Sequence, residues 1–468
     1  MNTQNPGIRI LVDALSTGEL TATALVGDRY NRAQDIEGVF VMLDDGAPEQ
    51  AREVDRRRAA GQAGPLEGIP VTLKDLFNVR GQRTLAGSRV LWDSAPVESE
   101  DAAVVSHLRA AGMLFLGRAN MSEFAFSGMG LNPHHPPLYS VWDRETGRLP
   151  GGSSSGSAVS VALGIVPGTL GSDTAGSCRI PAAFNGIVGV KPSFGRLSLE
   201  GVYPLSPTSD APGPLGVDVD TCFILDHLMS GAFDGSLPTL LPLEPEPTTL
   251  TVPGGAALAG LDPEVEQAFS IAVSRLAAGG ITVERQPTPV IDDSIRMFLE
   301  RPVVLYEVWR DHAARLESRG DEYDPYVRKR MGGGRNVSRE DQENRYREKE
   351  SLVRRLDSEF KEKSMTALMY PTAVCIPPAV SETGDPDRIG DVNMRCLRNA
   401  ASVNYFDGCA ISLPCHRDGE APVGLMLAMP RGHDRELFRL AALVENLLRP
   451  VRTGQYRVPQ PEPARQFN

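Results

Sequence analysis

The sequence predicts an α/β protein, a single large α/β/α layered domain around a mixed, mostly parallel β-sheet. Three observations predict it. From residue 66, short apolar stretches alternate with amphipathic ones, as in GIPVTLKDL followed by VVSHLRAAGMLFLGRAN. Residues 151 to 225 continue that alternation. After a helical interval, ALMYPT, CAISLPC and VGLMLAM return as strands, so the C-terminal part rejoins the same core. The chain has 468 residues, enough to bury one core of that size.

Residues 1–60 are expected to be a helical cover. Ile10, Leu11, Ala14 and Leu15 recur at helical spacing, and AREVDRRRAAG ends on a glycine suited to a helix C-terminus. The core is expected over 61–450. PVTLK within it reads as a strand, Val104, Leu108 and Ala111 as a helix face, and MLFLG as a buried strand. SLPTLLPLEPEPTTL, rich in proline, reads as a surface connection. Asp262 as N-cap, Pro263 in the first turn, the stripe Val265, Phe269, Ala272, Val273 and Leu276, and Gly279 after it outline a helix. A more variable helical insertion is expected at about 285–362, where Leu352, Leu356 and Phe360 form the buried stripe of a charged helix. Residues 451–468 read as a loosely held tail.

Composition narrows the function classes. Acidic residues number 60 against 48 basic ones, for a net charge of −12, and no dense Lys/Arg run is present to track a nucleic acid backbone. The six cysteines show no CxxC spacing and no histidine cluster beside them, so no metal centre and no disulfide framework is expected. No secretory leader and no membrane span is read, and the expectation is a cytoplasmic protein.

Residues 151–157, GGSSSGS, pack four serines among three glycines, and GSDTAGSCRIP at 171–181 places Ser177 behind another glycine. Within the first cluster GSSSG formally matches the G-x-S-x-G elbow, with Ser154 as nucleophile. An elbow follows a buried strand, however, whereas the polar turn DRETGRLPG precedes this one, and His227, His312, His416 and His433 lack any context that marks a partner base. No GK[ST] closes a phosphate loop. SSGSAVSVALG suits a helix of about ten residues, running roughly 15 Å. IVPGTLGSDT then reads as a strand of about five residues, running roughly 17 Å back. Both serine loops therefore fall at one edge, with Ser153 and Ser177 within reach of each other. Lys74, in phase with Thr72 on its strand, is the candidate base, because a lysine desolvated beside hydroxyls gives up its proton more easily.

GIPVTLKD, GGSSSGSAVSVALG and GSDTAGSCRIPAAFNGIVGVKPSFGRLS together resemble the amidase signature family, and SVNYFDGCAISLPC and APVGLMLA resemble its C-terminal core strands. The resemblance implies its fold and a Ser-Ser-Lys triad. Ser177 would be the nucleophile, Ser153 the bridging serine entered by a cis peptide from Gly152, and Lys74 the base. The N–H groups of Thr174, Ala175, Gly176 and Ser177 would form the oxyanion hole, with Asp173 and Arg179 bracing their loop. It implies hydrolysis of amide, carbamate or urea-like bonds, side activity on esters, and no cofactor. Ala175 and Ser155 depart from the common glycines in a way similar to allophanate hydrolases. Cys178, beside the proposed nucleophile, is a rival for a thiol mechanism.

Phe126, Gly128, Met129 and Gly130 are the expected substrate pocket, bordered by the loop NPHHPPLYSVWD at 132–143. These small and apolar residues predict a small neutral amide or carbamate as the partner, and a homodimer is the assembly allowed for. The alternative function is the amidase-like component of a tRNA-dependent amidotransferase, which would need partner chains and ATP.

Overall fold

The computed structural model describes residues 5–448, so the tail expected at 451–468 lies outside the described residues. Eleven strands form one sheet: β1 (Phe40–Leu43), β2 (Pro70–Lys74), β3 (Leu114–Ala119), β4 (Gly168–Ser172), β5 (Val188–Lys191), β6 (Pro212–Gly216), β7 (Thr249–Pro253), β8 (Thr282–Gln286), β9 (Ala367–Pro371), β10 (Cys409–Pro414) and β11 (Gly424–Met429). Their order is β1-β3-β2-β4-β6-β5-β10-β11-β9-β7-β8.

The sheet is mixed, but it is not mostly parallel. β2 pairs in parallel with β3 and β4, and β7 with β8 and β9. Every other neighbouring pair is antiparallel. The physical reason is connection length. A parallel pair needs a crossover, usually helical, which the segments leading into β3 and β4 supply. β10 and β11 are instead joined by the short loop 415–423 and fold back on each other.

Alternation along the central strands explains the layering. Ile411 and Leu413 of β10, with Leu425 and Leu427 of β11, share a cluster with the helices Pro263–Ala278 and Asp434–Leu448. Ala410, Met426 and Ala428, one residue out of phase, pack with the helices Arg179–Asn185, Pro289–Glu300 and Ile389–Tyr405. Successive side chains leave a strand on opposite faces, so both faces of the sheet are covered by helices.

Several local expectations are corrected. The first sixty residues are not all helix, because Phe40–Leu43 forms the edge strand β1. In the helix Ile8–Thr17 the buried stripe is Ile8, Leu11, Val12 and Leu15, while Ile10 is 46% exposed. Asp262 occupies the N-cap position of Pro263–Ala278, but its carboxylate accepts from Arg395 Nη2 at 2.7 Å and from the Ile376 N–H at 3.1 Å instead of capping the helix. Between β8 and β9 lie the helices Pro289–Glu300, Val304–Arg319, Pro325–Gly332 and Arg339–Glu362, the last with Leu352, Leu356 and Phe360 buried. Among the described residues no helix is long and apolar enough to cross a membrane.

Candidate active site

Lys74 is the last residue of β2, flanked by parallel neighbours on both sides, so the C-terminal ends of β2, β3 and β4 open onto one edge. Crevices beyond the carboxyl ends of parallel strands are where α/β proteins place ligands. Lys74 is fully buried, and its Nζ donates to Ser153 Oγ at 2.7 Å and to Ser172 Oγ, at the end of β4, at 2.9 Å. Desolvation pushes its pKa down to about 8, outweighing the opposing pull of nearby negative charge such as Asp173 and Asp210. Neutral amine is therefore accessible near physiological pH.

Ser153 precedes the helix Ser155–Ala162, and the Gly152–Ser153 peptide is cis. A side chain at Gly152 would come within 2.6 Å of the Gly130 nitrogen, so the close approach of these two backbones requires glycine. The neighbouring serine has a different task. Ser154 Oγ donates to the Ser172 carbonyl at 3.3 Å and receives the Ser172 N–H at 3.4 Å, while its own N–H donates to the Ser177 carbonyl at 3.2 Å. It joins the two serine loops and is not placed as an elbow nucleophile.

The second loop runs from β4 to the helix Arg179–Asn185 and is built around Asp173. Burial alone would raise the Asp173 carboxyl, but the Arg179 guanidinium, bonded to both its oxygens at 2.9 and 3.0 Å, holds it down at about 2. The same carboxylate accepts the Gly176 N–H at 2.7 Å and the Cys178 N–H at 3.1 Å. Gly176 therefore does not offer its amide to a ligand, a correction to the four-donor oxyanion hole. The N–H groups of Thr174, Ala175 and Ser177 have no acceptor among the described residues. Thr174 is fixed through its hydroxyl, which donates to Asp210 at 2.5 Å, and burial raises the Asp210 carboxyl to about 6. Cys178 is fully buried, its Sγ donates to the Gly213 carbonyl at 3.6 Å, and burial raises its thiol, which is the wrong environment for a thiolate nucleophile.

Ser177, Thr174 and Ala175 line a cavity together with Phe126. Gly128, Met129 and Gly130, expected beside Phe126, do not line it. Gly128 is turned to Asn393, whose Oδ1 accepts its N–H at 2.8 Å, Met129 packs with Leu149 and Val392, and Gly130 lies against Gly151. The loop 132–143 does not border the cavity either. His134 Nε2 pairs with buried Glu123 at 3.0 Å, and Asn132 bonds to the Gly87 and Met121 carbonyls. Ala125, Ser127, Leu205 and Ser209 also line the cavity, and the rest of the wall comes from Phe298, Val304, Arg330, Leu397 and Tyr405, none of which could be named from the sequence. No histidine lines it among the described residues. His312 meets Phe124 in a T-shaped contact, and burial pushes its pKa down to about 4.

The chain is similar to known proteins over most of its length. The sequence model of a family described as Amidase matches residues 21–438. The 2-amino-5-chloromuconic acid deaminase of Comamonas testosteroni is 31% identical over 440 residues, covering 92% of this chain and 93% of that protein. A glutamyl-tRNA(Gln) amidotransferase component from Symbiobacterium thermophilum is 32% identical over 463 residues, covering 91% and 93%. A crystal structure of an amidase superposes with a TM-score of 0.83 at 31% identity, covering 95% of this chain and 100% of that one.

Proposed function

This chain belongs to the amidase family, and on that premise we propose that it hydrolyses carbon–nitrogen bonds of small molecules through a serine acyl-enzyme, with Ser177 as nucleophile, Ser153 as relay and Lys74 as base. Neutral Lys74 takes the Ser153 hydroxyl proton while Ser153 takes that of Ser177. Ser177 Oγ then bonds to the substrate carbonyl carbon, and the π pair moves onto the oxygen. The unspent N–H groups of Thr174, Ala175 and Ser177 receive that developing charge. Collapse of the tetrahedral species breaks the carbon–nitrogen bond, and the leaving amine takes a proton from Ser153, which regains one from the Lys74 ammonium. Water repeats the sequence against the acyl-enzyme and frees Ser177.

The observation that carries this reading is the 2.7 Å contact of a fully buried lysine with Ser153, joined to a pKa driven down to about 8. Carbamates and esters belong to the same reading, because each offers a carbonyl carbon and a leaving group to the same relay. The Comamonas relative, named for deamination of 2-amino-5-chloromuconic acid, supports a small molecule as substrate. A fluorophosphonate is expected to label Ser177, and Ser177→Ala to abolish both labelling and amide turnover. A label on Cys178 would replace this mechanism with a thiol one.

The Symbiobacterium relative motivates a second reading, the amidotransferase component. Under it the purified chain alone turns over no amide and needs partner chains and ATP. Turnover by the single purified chain decides for the hydrolase.

A further inference from the structure

We infer that Asp210 is a positioning residue for the proposed reaction, a single carboxylate that fixes an amide donor beside Ser177 together with the facing wall of the cavity; the inference rests on Ser177 being the reacting group. Oδ1 receives the Thr174 hydroxyl at 2.5 Å, and Oδ2 receives the N–H groups of Leu205 and Ser206, each at 2.9 Å. Thr174 and Leu205 both line the cavity, as does Ser209, the residue before Asp210. The three donors use both oxygens, so one side of the cavity cannot shift against the other without breaking a bond to this carboxylate.

The turn that carries Asp210 is firm enough to serve as a reference. The N–H groups of Ser209 and Asp210 both donate to the Ser206 carbonyl at 2.8 Å. From behind, buried Glu307 on the helix Val304–Arg319 accepts the hydroxyls of Ser206, of Thr208 at 2.8 Å and of Tyr346 at 2.5 Å. Lys349 donates to the Thr208 carbonyl and pairs with Asp407 at 2.7 Å, so the cation on this turn is already matched. Asp210 is thus a side-chain link from a backed turn to the Ser177 loop.

Its charge distinguishes Asp210 from a mere spacer. Arg179 matches Asp173 and Arg118 matches Asp75, but among the described residues no Lys, Arg or His bonds to Asp210. Burial, with a smaller push from the Glu307 carboxylate, raises the Asp210 carboxyl to about 6, so it is ionised where Lys74 titrates, at about 8. The groups whose charge bears on Lys74 are Cys178, Asp173 and Asp210. Burial keeps Cys178 a neutral thiol, and Arg179 offsets Asp173. The uncompensated charge is that of Asp210, and it favours the Lys74 ammonium, the form that returns a proton through Ser153 to the leaving amine.

The test reads the rate of Ser177 labelling by a fluorophosphonate against pH, with urea midpoints, in wild type, Asp210→Asn, Thr174→Val and Thr174→Ser. On the alkaline plateau Thr174→Val, which keeps the main-chain amide but frees it from the carboxylate, should label about 10- to 100-fold more slowly. Thr174→Ser, which keeps the hydroxyl, should recover most of that loss. Asp210→Asn should be slowed as well, and the double variant Asp210→Asn/Thr174→Val no further than the slower single, since both remove one contact. Asp210→Asn should also move the acidic limb to lower pH, while Thr174→Val leaves it in place; a merely structural role slows labelling and moves no limb. An unchanged rate in Thr174→Val, additive losses in the double variant, or an unmoved limb in Asp210→Asn overturns the inference. Should Asp210→Asn not fold, the contrast between Thr174→Val and Thr174→Ser decides, and equal rates in those two overturn it. Where wild-type Ser177 takes no label, the urea midpoints decide. A double variant no less stable than the weaker single would sustain the link between Asp210 and Thr174 and overturn the hydrolase reading, whereas additive losses would overturn the link.

Discussion

Arg179 holds both oxygens of Asp173, Nε to Oδ2 at 3.0 Å and Nη2 to Oδ1 at 2.9 Å, with neither side chain exposed. The carboxylate also accepts the Gly176 and Cys178 amides, so this pair shapes the Ser177 loop from inside. Removing one partner of such a pair leaves a buried charge uncompensated and costs about 3–5 kcal/mol. Arg179→Met is therefore expected to lower the urea midpoint sharply and to reduce turnover. An unchanged midpoint would show that the loop is held by other contacts.

The same pair makes a prediction in acid. The native Asp173 carboxyl sits at about 2, below its ordinary value of 3.8. The native state thus binds fewer protons than the unfolded chain between these values, and stability rises with pH there. The contribution is complete above about pH 4 and is lost as pH falls through about 2. Urea midpoints measured across that window should fall steeply in wild type and less steeply in Asp173→Asn; parallel slopes would remove Asp173 from the account.

Gly176 has φ 109°, a region that disfavours side chains, and a Cβ there would lie 2.6 Å from Ala400 Cβ and 2.7 Å from Ile180 Cδ1. Gly176→Ala combines backbone strain of about 1–3 kcal/mol with displacement of the adjacent Ser177. Its kcat on any amide substrate is expected to fall by at least about tenfold, since misplacing a reacting group by an ångström costs that much or more. A wild-type kcat would mean that the loop tolerates movement.

The candidates Lys74, Ser153 and Ser177 could be picked out in the sequence because they lie in three continuous motifs whose helix and strand lengths fix where the loops end, and Lys74 does reach Ser153. Ser155–Ala162 and Gly168–Ser172 span nearly the lengths expected from SSGSAVSVALG and IVPGTLGSDT. The pocket was not legible in this way. Arg330, Phe298 and Leu397 meet Ser177 only through the tertiary packing of helices that follow β8 and β9, and no local spacing encodes such a meeting. The Gly176 amide was misassigned for a related reason. The resemblance carries over which residues form the loop, whereas the claim of Asp173 on one of its amides depends on where the carboxylate is held by Arg179. Strand direction failed at β10 and β11, where a short loop replaced the crossover that alternation suggested.

Ser154 separates the elbow from the triad. Its hydroxyl bonds the Ser172 backbone, and Ser172 Oγ in turn contacts Lys74. Ser154→Ala should therefore act at one remove, by about 1 kcal/mol for a lost hydrogen bond and about tenfold or less in kcat/KM. Complete loss in Ser154→Ala, with activity surviving in Ser177→Ala, would reinstate the elbow.

The last prediction concerns Lys74 and pH. Burial lowers its pKa from 10.5 to about 8, so the deprotonated form that accepts the Ser153 proton accumulates as pH rises through about 8. The acidic limb of kcat/KM reports the essential base of the free enzyme, and it should lie there. The sign for stability follows the same shift. Between about 8 and 10.5 the unfolded chain holds a proton that the native state has released, so stability rises with pH across that window and the contribution vanishes as pH falls through about 8. Lys191, also buried and lowered to about 8, donates to the Pro192 and Gly408 carbonyls and has no contact with the serines, so it contributes to the stability slope but not to the rate. Lys74→Ala should lose most of the rate and the acidic limb together, whereas Lys191→Met should flatten the stability slope and leave the limb in place. Single replacements of His227, His312, His416 and His433 should also leave it. A limb that survives in the residual activity of Lys74→Ala, or that one histidine replacement removes, would transfer the role of base away from Lys74.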